Sequence, residues 1–353
     1  MVDSLLSVIV RKYYTMNGTR VLADNVTATL RELKVKFNER VVFVTDPRKK
    51  HLGTVSGILG AVSTRLKSHR DEKSISFTAL APGNVLYVPD IGNPDGRSGT
   101  LSDAILDRIM TSSIRNTDSI FTNSKYMRQI ISDKYDISLD NVFDLPLPID
   151  DVFTPEKNLR RDDCISFLTV GKLTRRRIGL LDIPSMLRKA HGDKKITYYR
   201  AGPRSDYEGR LMAACRQADI EYTNIGDTPN RKLVDYYRMV NCYVYLSEME
   251  GYSLTPKEAL ACGTPALISH NPVHDEIYGG KPGVVWFDGF DSVAKACEMP
   301  HSQEYSLWTH SYSFRNLTLD LLKIAGVDVP VTAHHQSDDS RGMDKPPNST
   351  RNA

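Results

Sequence analysis

Short apolar runs rich in β-branched residues alternate with stretches of helical periodicity from the start of the chain to about residue 325. In the first half the runs predict strands at 5–14, 40–46, 74–80, 84–90 and 119–124, with helices at 22–37, 101–115 and 125–135. The second half repeats the rhythm. It predicts strands at 164–171, 195–202, 220–226, 242–248, 264–270 and 283–288, and helices at 179–190, 205–218, 230–239, 256–262 and 312–325. Strand alternating with helix implies parallel sheets covered on both faces. Two such runs imply an α/β chain of two Rossmann-like, doubly wound domains, expected at 1–145 and 164–310. A linker at 146–163, rich in proline and charge, would join them. A C-terminal helix is expected at 311–330, and a disordered polar tail at 331–353. Doubly wound sheets bind ligands beyond the carboxyl ends of their strands, so the cleft between the two domains is the expected site.

Composition narrows the class. The 353 residues, 40% hydrophobic and 25% charged, suffice for two cores. A formal net charge of +3 argues against a dedicated nucleic-acid binder. The five cysteines show no CxxC spacing and read as buried free thiols in a reducing compartment, with no zinc site. No apolar run reaches membrane-spanning length, and Arg11 and Lys12 follow the short LLSVIV run directly. A soluble, cytoplasmic protein is therefore expected, with room for a peripheral membrane contact. His334–His335 and the Asn348 sequon in the tail read as solvated residues.

The stretch EMEGYSLTPKEALACGTP carries the chemistry. A capping account explains part of it. Thr255 would be an N-cap, Pro256 the first helical residue and Glu258 the N3 carboxylate of a capping box, with Gly263 ending the helix. That account leaves Glu250 and Gly251 unexplained. A functional account uses the same local structure: a strand ends, the chain turns at Gly251, and a helix N-terminus favours an anion there. Carboxylates on either side of a phosphate-friendly turn suit hydroxyl groups. A ligand with hydroxyls at both ends and phosphates between them, such as a nucleotide sugar, has that layout.

The segment EGYSLTPKEALACGTPALIS closely resembles the E-G-F-G-L-x-x-x-E-A-x-A-x-G-x-P-V segment of the retaining GT-B glycosyltransferases, above all glycosyltransferase family 4. FLTVGKLTRRRIGLLDIPSML, YYRAGP, NIGDTPNRKLVDYYRMVNCYVYLSEMEG and PLPIDDVFTP resemble further segments of the same family, and together these cover roughly 142–290. The first ~140 residues match in rhythm alone. The resemblance implies that Glu258 holds the donor's ribose hydroxyls and that Glu250 contacts the transferred sugar. It implies that backbone N–H groups of Gly251, Tyr252, Ser253 and Leu254 face sugar or diphosphate. Lys172 and Arg177, or Arg176, would be the cations for the leaving diphosphate, which must be stabilised as its charge develops. Gly202, Ile225 and Gly226 would lie near the base, and Gly18, after Asn17, where the family's N-terminal glycine loop approaches the phosphates. Three departures stand out. The family's glycine pair after the first strand appears here only as Asn17-Gly18, which an ordinary turn would also explain. Ser253 replaces the family's glycine, and RRRIG carries one residue more than the family's K-G, leaving the assignment among Arg175, Arg176 and Arg177 open.

The implied activity is retaining hexosyl transfer from a UDP- or GDP-sugar to a glycan, lipid or protein hydroxyl, independent of metal and cofactor and involving no nucleic acid. The acceptor would lie against the first half, where Asp90 faces the cleft or simply serves a turn. Competing readings are a phosphorylase or epimerase of the same architecture, or a degenerate module that keeps the donor pocket. A nicotinamide dehydrogenase is disfavoured, because no GxGxxG follows a first strand.

Overall fold

The computed structural model describes residues 6–13, 18–45, 73–90, 101–156 and 164–329. The expectations for Asn17, for the tail 331–353 and for part of the linker lie outside these residues. The first domain runs β1 (Leu6–Tyr13), α1 (Gly18–Glu32), β2 (Phe37–Thr45), β3 (Ser74–Ser76), β4 (Val85–Tyr87), α2 (Leu101–Arg115), β5 (Ser119–Thr122), α3 (Lys125–Tyr135) and β6 (Val142–Asp144). Its strands are parallel, in the order β2-β1-β3-β4-β5-β6.

The second domain runs β7 (Ile165–Val170), α4 (Ile183–His191), β8 (Ile196–Ala201), α5 (Glu208–Gln217), β9 (Glu221–Gly226), α6 (Asn230–Met239) and β10 (Cys242–Tyr245). It continues with α7 (Leu254–Ala261), β11 (Ala266–Ile268), α8 (Pro272–Tyr278), β12 (Val284–Trp286) and α9 (Phe290–Glu298). The sheet order is β12-β11-β10-β7-β8-β9, again parallel. The two doubly wound sheets are those the alternation predicts.

The central strands bury both faces, with a period of two, while the edge strand β9 is partly exposed. Val85 and Tyr87 join one core of the first domain, Leu86 and Val88 the other. In β10, Cys242 and Val244 face one core of the second domain, Tyr243 and Tyr245 the opposite one. A final helix, α10 (Phe314–Ile324), carries the chain back to the first domain, where Leu317, Leu321 and Leu322 pack with Leu22, Val26 and Leu30.

Several elements differ from the pattern reading for local reasons. The run at 74–80 makes a strand of three residues, because the Ser76 hydroxyl bonds the carbonyls of Thr78 and Ala81 and the chain turns there. Helix α1 stops at Glu32, short of 37, and Lys34 takes a left-handed conformation two residues on. Neither α8 nor α9 was expected. Pro272 looks like a breaker in sequence but sits in the first turn of α8, where Asn271 accepts from the His274 N–H at 2.8 Å.

Strand order reverses between β1 and β3 in the first sheet and between β7 and β10 in the second. These switch points open crevices at the carboxyl ends, and the crevices face each other. The domains touch there. The Glu276 carboxylate on α8 accepts from the Lys125 and Tyr126 N–H groups at the N-terminus of α3, at 2.7 and 3.0 Å. The buried Lys257 ammonium donates to the Leu147 carbonyl at 2.9 Å, and burial lowers its pKa to about 8. At Gly251 the approach is closest: a Cβ would stand 2.2 Å from the Pro89 carbonyl oxygen. Gly251→Ala is therefore expected to wedge the domains apart at a cost of about 1–3 kcal/mol. Small-angle scattering should report a larger radius of gyration for this variant, and chemical denaturation the loss of stability.

Candidate functional site

Four buried tyrosines hold the turn between Glu250 and Glu258. Tyr245, at the end of β10, donates its hydroxyl to Glu250 Oε1 at 2.7 Å. Tyr237, from α6, donates to Glu258 Oε2 at 2.9 Å, and Tyr243 donates to Thr255 Oγ1 at 2.6 Å. Tyr278, from α8, donates to the Ser253 carbonyl. Each ring is at most 2% exposed. Burial raises the pKa of every one of these phenols, so all four remain hydrogen-bond donors. The sequence reading passed over these residues. Its available signal was a set of tyrosines inside apolar runs, CYVYL and LVDYYRMV, whose hydroxyls require partners once buried.

The turn corrects the capping account. Helix α7 begins at Leu254 with Ser253 as N-cap, and no side chain caps it. Thr255 is inside the helix and its hydroxyl accepts from Tyr243, while Glu258 is bound by Tyr237. Neither residue plays the role that a capping box assigns, and the N–H groups of the first turn take no side-chain cap. Ser253 itself is left-handed, at φ 70°, a conformation costly for an L-residue. The Ser253 hydroxyl lies 2.8 Å from His274 Nε2, and His274 Nδ1 lies 2.7 Å from the Ser269 carbonyl. A carbonyl only accepts, so Nδ1 carries the proton and Nε2 accepts from Ser253. Burial lowers the pKa of His274 and keeps it neutral.

Electrostatics separate the two carboxylates. Glu258 is pushed up to about 7, chiefly by burial and further by Asp150, against the opposing Tyr237 hydrogen bond. Glu250 pairs with Arg177 at 3.3 Å, both side chains being largely buried at 20% and 14% exposed. The Arg177 guanidinium stacks over Tyr245, 4.4 Å from the ring centroid, and donates to its hydroxyl and to the Val170 carbonyl. Burial alone would lower the Arg177 pKa, but Tyr245, Glu250 and Tyr243 together raise it. Gly171 leaves room for this cation, since a Cβ there would stand 2.6 Å from Arg177 Nη1.

The other expected positions divide. Gly251, Tyr252, Ser253, Leu254, Glu250, Glu258 and Arg177 all line the interdomain cleft. Lys172 is exposed just past β7 and is not among the lining residues. Arg176 and the exposed Arg175 also stand outside the lining, and the Arg176 carbonyl accepts from the Glu248 N–H. Gly202 follows β8, and Ile225 and Gly226 end β9, farther along the sheet from β10 and outside the lining of the cleft. The fully buried Arg200 binds the Gly171, Gly202 and Pro203 carbonyls and so ties the ends of β7 and β8 together. Gly18 is the first residue of α1, and Thr19 beside it lines the cleft.

The cleft has a volume of about 400 Å³. Its first-domain wall includes Thr19, Leu22, Tyr87, Pro89, Asp90 and Asn123. A more open depression of about 600 Å³ lies at the amino ends of β8 and β9, among Arg188, Lys194, Lys195 and Glu221. That end of a doubly wound sheet is not where ligands bind, and the clustered carboxylates and buried cation are in the cleft. Among the described residues, no helix is long and apolar enough to cross a membrane.

Residues 156–291 match the model of the family described as glycosyl transferases group 1. Curated proteins give no match. Among solved structures, the chain is similar to WaaG, a glycosyltransferase involved in lipopolysaccharide biosynthesis, with a TM-score of 0.72 at 12% identity over 91% of this chain and 100% of that one. It is also similar to HepE of Anabaena, solved in complex with UDP-glucose, with a TM-score of 0.61 at 10% identity over 91% and 97%. Sucrose-phosphate synthase from Thermosynechococcus elongatus gives 0.62 at 15% identity over 91% and 96%. At these identities the likenesses establish the fold, which is GT-B. The chain thus has the GT-B fold, and residues 156–291 of it match the glycosyl transferases group 1 family.

Proposed function

We propose that this chain is a retaining, metal-independent glycosyltransferase that moves a hexose from a UDP- or GDP-sugar to an acceptor hydroxyl. The observation that carries the reading is the pair Glu250 and Glu258, held by separate tyrosines on either side of an uncapped helix N-terminus, with Arg177 against the first of them. Glu258 would accept from the ribose hydroxyls and Glu250 from the sugar's. The N–H groups around Ser253 and Leu254 would meet the diphosphate, and Gly202, Ile225 and Gly226 would flank the base. HepE's complex with UDP-glucose, on the same fold, supports this class of donor.

Transfer would pass through an oxocarbenium-like transition state on one face of the sugar. As the bond from the anomeric carbon to the diphosphate breaks, the acceptor oxygen bonds that carbon, and its proton goes to the departing diphosphate. Arg177 supplies fixed positive charge where negative charge develops, which is electrostatic and not acid–base catalysis. The exposed Lys172 would turn in to add a second cation when a diphosphate is bound.

Incubation with UDP- and GDP-hexoses in EDTA, with nucleoside diphosphate release as the readout, tests the reading. Release is expected from one donor, with Arg177→Ala lowering kcat by about 10²–10³-fold and Glu258→Ala weakening nucleotide binding by about 10–100-fold. Nucleotide binding without turnover in the presence of acceptor glycans would favour a degenerate binding module. The absence of both would sink the proposal.

The elevated pKa of Glu258 adds a pH signature. The folded protein retains this proton above the ordinary carboxylate range, so Glu258 lowers stability progressively from about pH 4.5 to about 7, and by a constant amount above. Glu258→Gln is therefore expected to flatten that fall and to gain up to about 3 kcal/mol at pH 8. Nucleotide binding favours the carboxylate, so it should release a proton near pH 7 that the glutamine variant does not release. Calorimetry in buffers of different ionisation enthalpy measures this difference.

A further inference from the structure

Asn123 follows β5 at its carboxyl end and immediately precedes Ser124, the N-cap of α3. Its side chain is nearly buried, with the residue 5% exposed, yet it lines the cleft. The amide N–H donates to the buried Tyr87 hydroxyl oxygen. Among the described residues its Oδ1 has no hydrogen-bond partner. A buried amide oxygen without a partner is costly, and such an atom on the wall of a cleft is placed for a ligand to complete. Thr122 Oγ1 is also without a partner but lies inside β5, off the lining of the cleft.

Position decides which ligand it meets. Ser124 Oγ reaches the Gly251 carbonyl at 3.5 Å, and the Pro89 carbonyl packs against Gly251 from the same wall. Asn123 thus stands at the Glu250 end of the cleft, on the first-domain side, across from Glu250, Glu258, Arg177 and the turn at Ser253 and Leu254. We propose that Asn123 binds the acceptor, by taking a hydrogen bond from a hydroxyl adjacent to the one that attacks. This rests on the transferase reading. The attacking hydroxyl forms the new bond to the anomeric carbon and gives its hydrogen to the departing diphosphate, so that hydrogen is not available to Asn123. The hydrogen that completes Asn123 Oδ1 comes from a second hydroxyl. The acceptor is accordingly a carbohydrate or polyol with neighbouring hydroxyls and not an isolated alcohol. Asp90, exposed on the same wall, adds a further acceptor atom suited to such a group.

The test compares nucleoside diphosphate release from a UDP- or GDP-hexose in water, in glycerol and in propan-1-ol, for wild type, Asn123→Leu and Asn123→Asp. Kd for UDP and GDP is measured alongside. Glycerol, with neighbouring hydroxyls, should accelerate wild-type turnover where propan-1-ol does not. Asn123→Leu should lose about tenfold in kcat/KM for glycerol, with the nucleotide Kd unchanged within about twofold. Asn123→Asp, which keeps an accepting oxygen in place, should retain the glycerol preference. Propan-1-ol acting as well as glycerol overturns the inference, as does a leucine variant that keeps the preference or loses nucleotide affinity in step. A wild type that binds nucleotide but gains nothing from glycerol overturns it too. Failure of wild type to bind either nucleotide is a different result: it removes the transferase reading itself, and this inference falls with it.

Discussion

A buried phenol hydroxyl must find an acceptor, and four of them here find theirs in one turn. Tyr237, Tyr243, Tyr245 and Tyr278 come from α6, β10 and α8, and each ends on a different atom between Glu250 and Glu258. The rings are packed in one apolar core, so the hydroxyl positions are set by the packing of the whole domain. The turn inherits that rigidity. It can then hold Ser253 in a left-handed conformation, leave the α7 N-terminus without a side-chain cap, and keep Glu258 partly protonated near neutral pH. Each of these is unfavourable in isolation.

The same constraint explains the unequal electrostatics of the two glutamates. Glu250 has a cation beside it, and Arg177 is in turn held by stacking on Tyr245. Glu258 has a phenol and no cation, and the Asp150 carboxylate raises it further. Two carboxylates eight positions apart in sequence thus stand in different electrostatic surroundings within one cleft. That suits a ligand whose two ends differ.

The first domain contributes through proximity more than through charge. Glu276 caps α3 across the cleft, Gly251 leaves space for the Pro89 carbonyl, and α10 returns to pack on α1. These contacts bring Asn123 and Asp90 opposite the turn. None of them follows from local pattern, because each joins residues more than a hundred positions apart or depends on a domain placement that periodicity does not encode.

Local information reached far in this chain where local physics decides the outcome. Alternating apolar runs specified two parallel sheets, since a strand buried on both faces has a composition of its own. Helices α2, α3 and α6 fell at the expected residues, where strong periodicity coincides with clear boundaries. The glutamate pair and its glycine turn were legible because neighbouring residues build them and because they resemble a known segment, whereas the sequence left the choice among Arg175, Arg176 and Arg177 open. Tertiary structure alone decided the rest. The register of Ser253 as N-cap, in place of Thr255, depends on hydroxyls arriving from three other elements. Lys172 faces solvent while Arg177 turns inward, a difference that five residues of sequence cannot express and that the stacking surface of Tyr245 settles. Asn123 became a candidate only once burial stripped its oxygen of water and the fold set it in the wall of the cleft, because desolvation belongs to the packed chain and not to the residue.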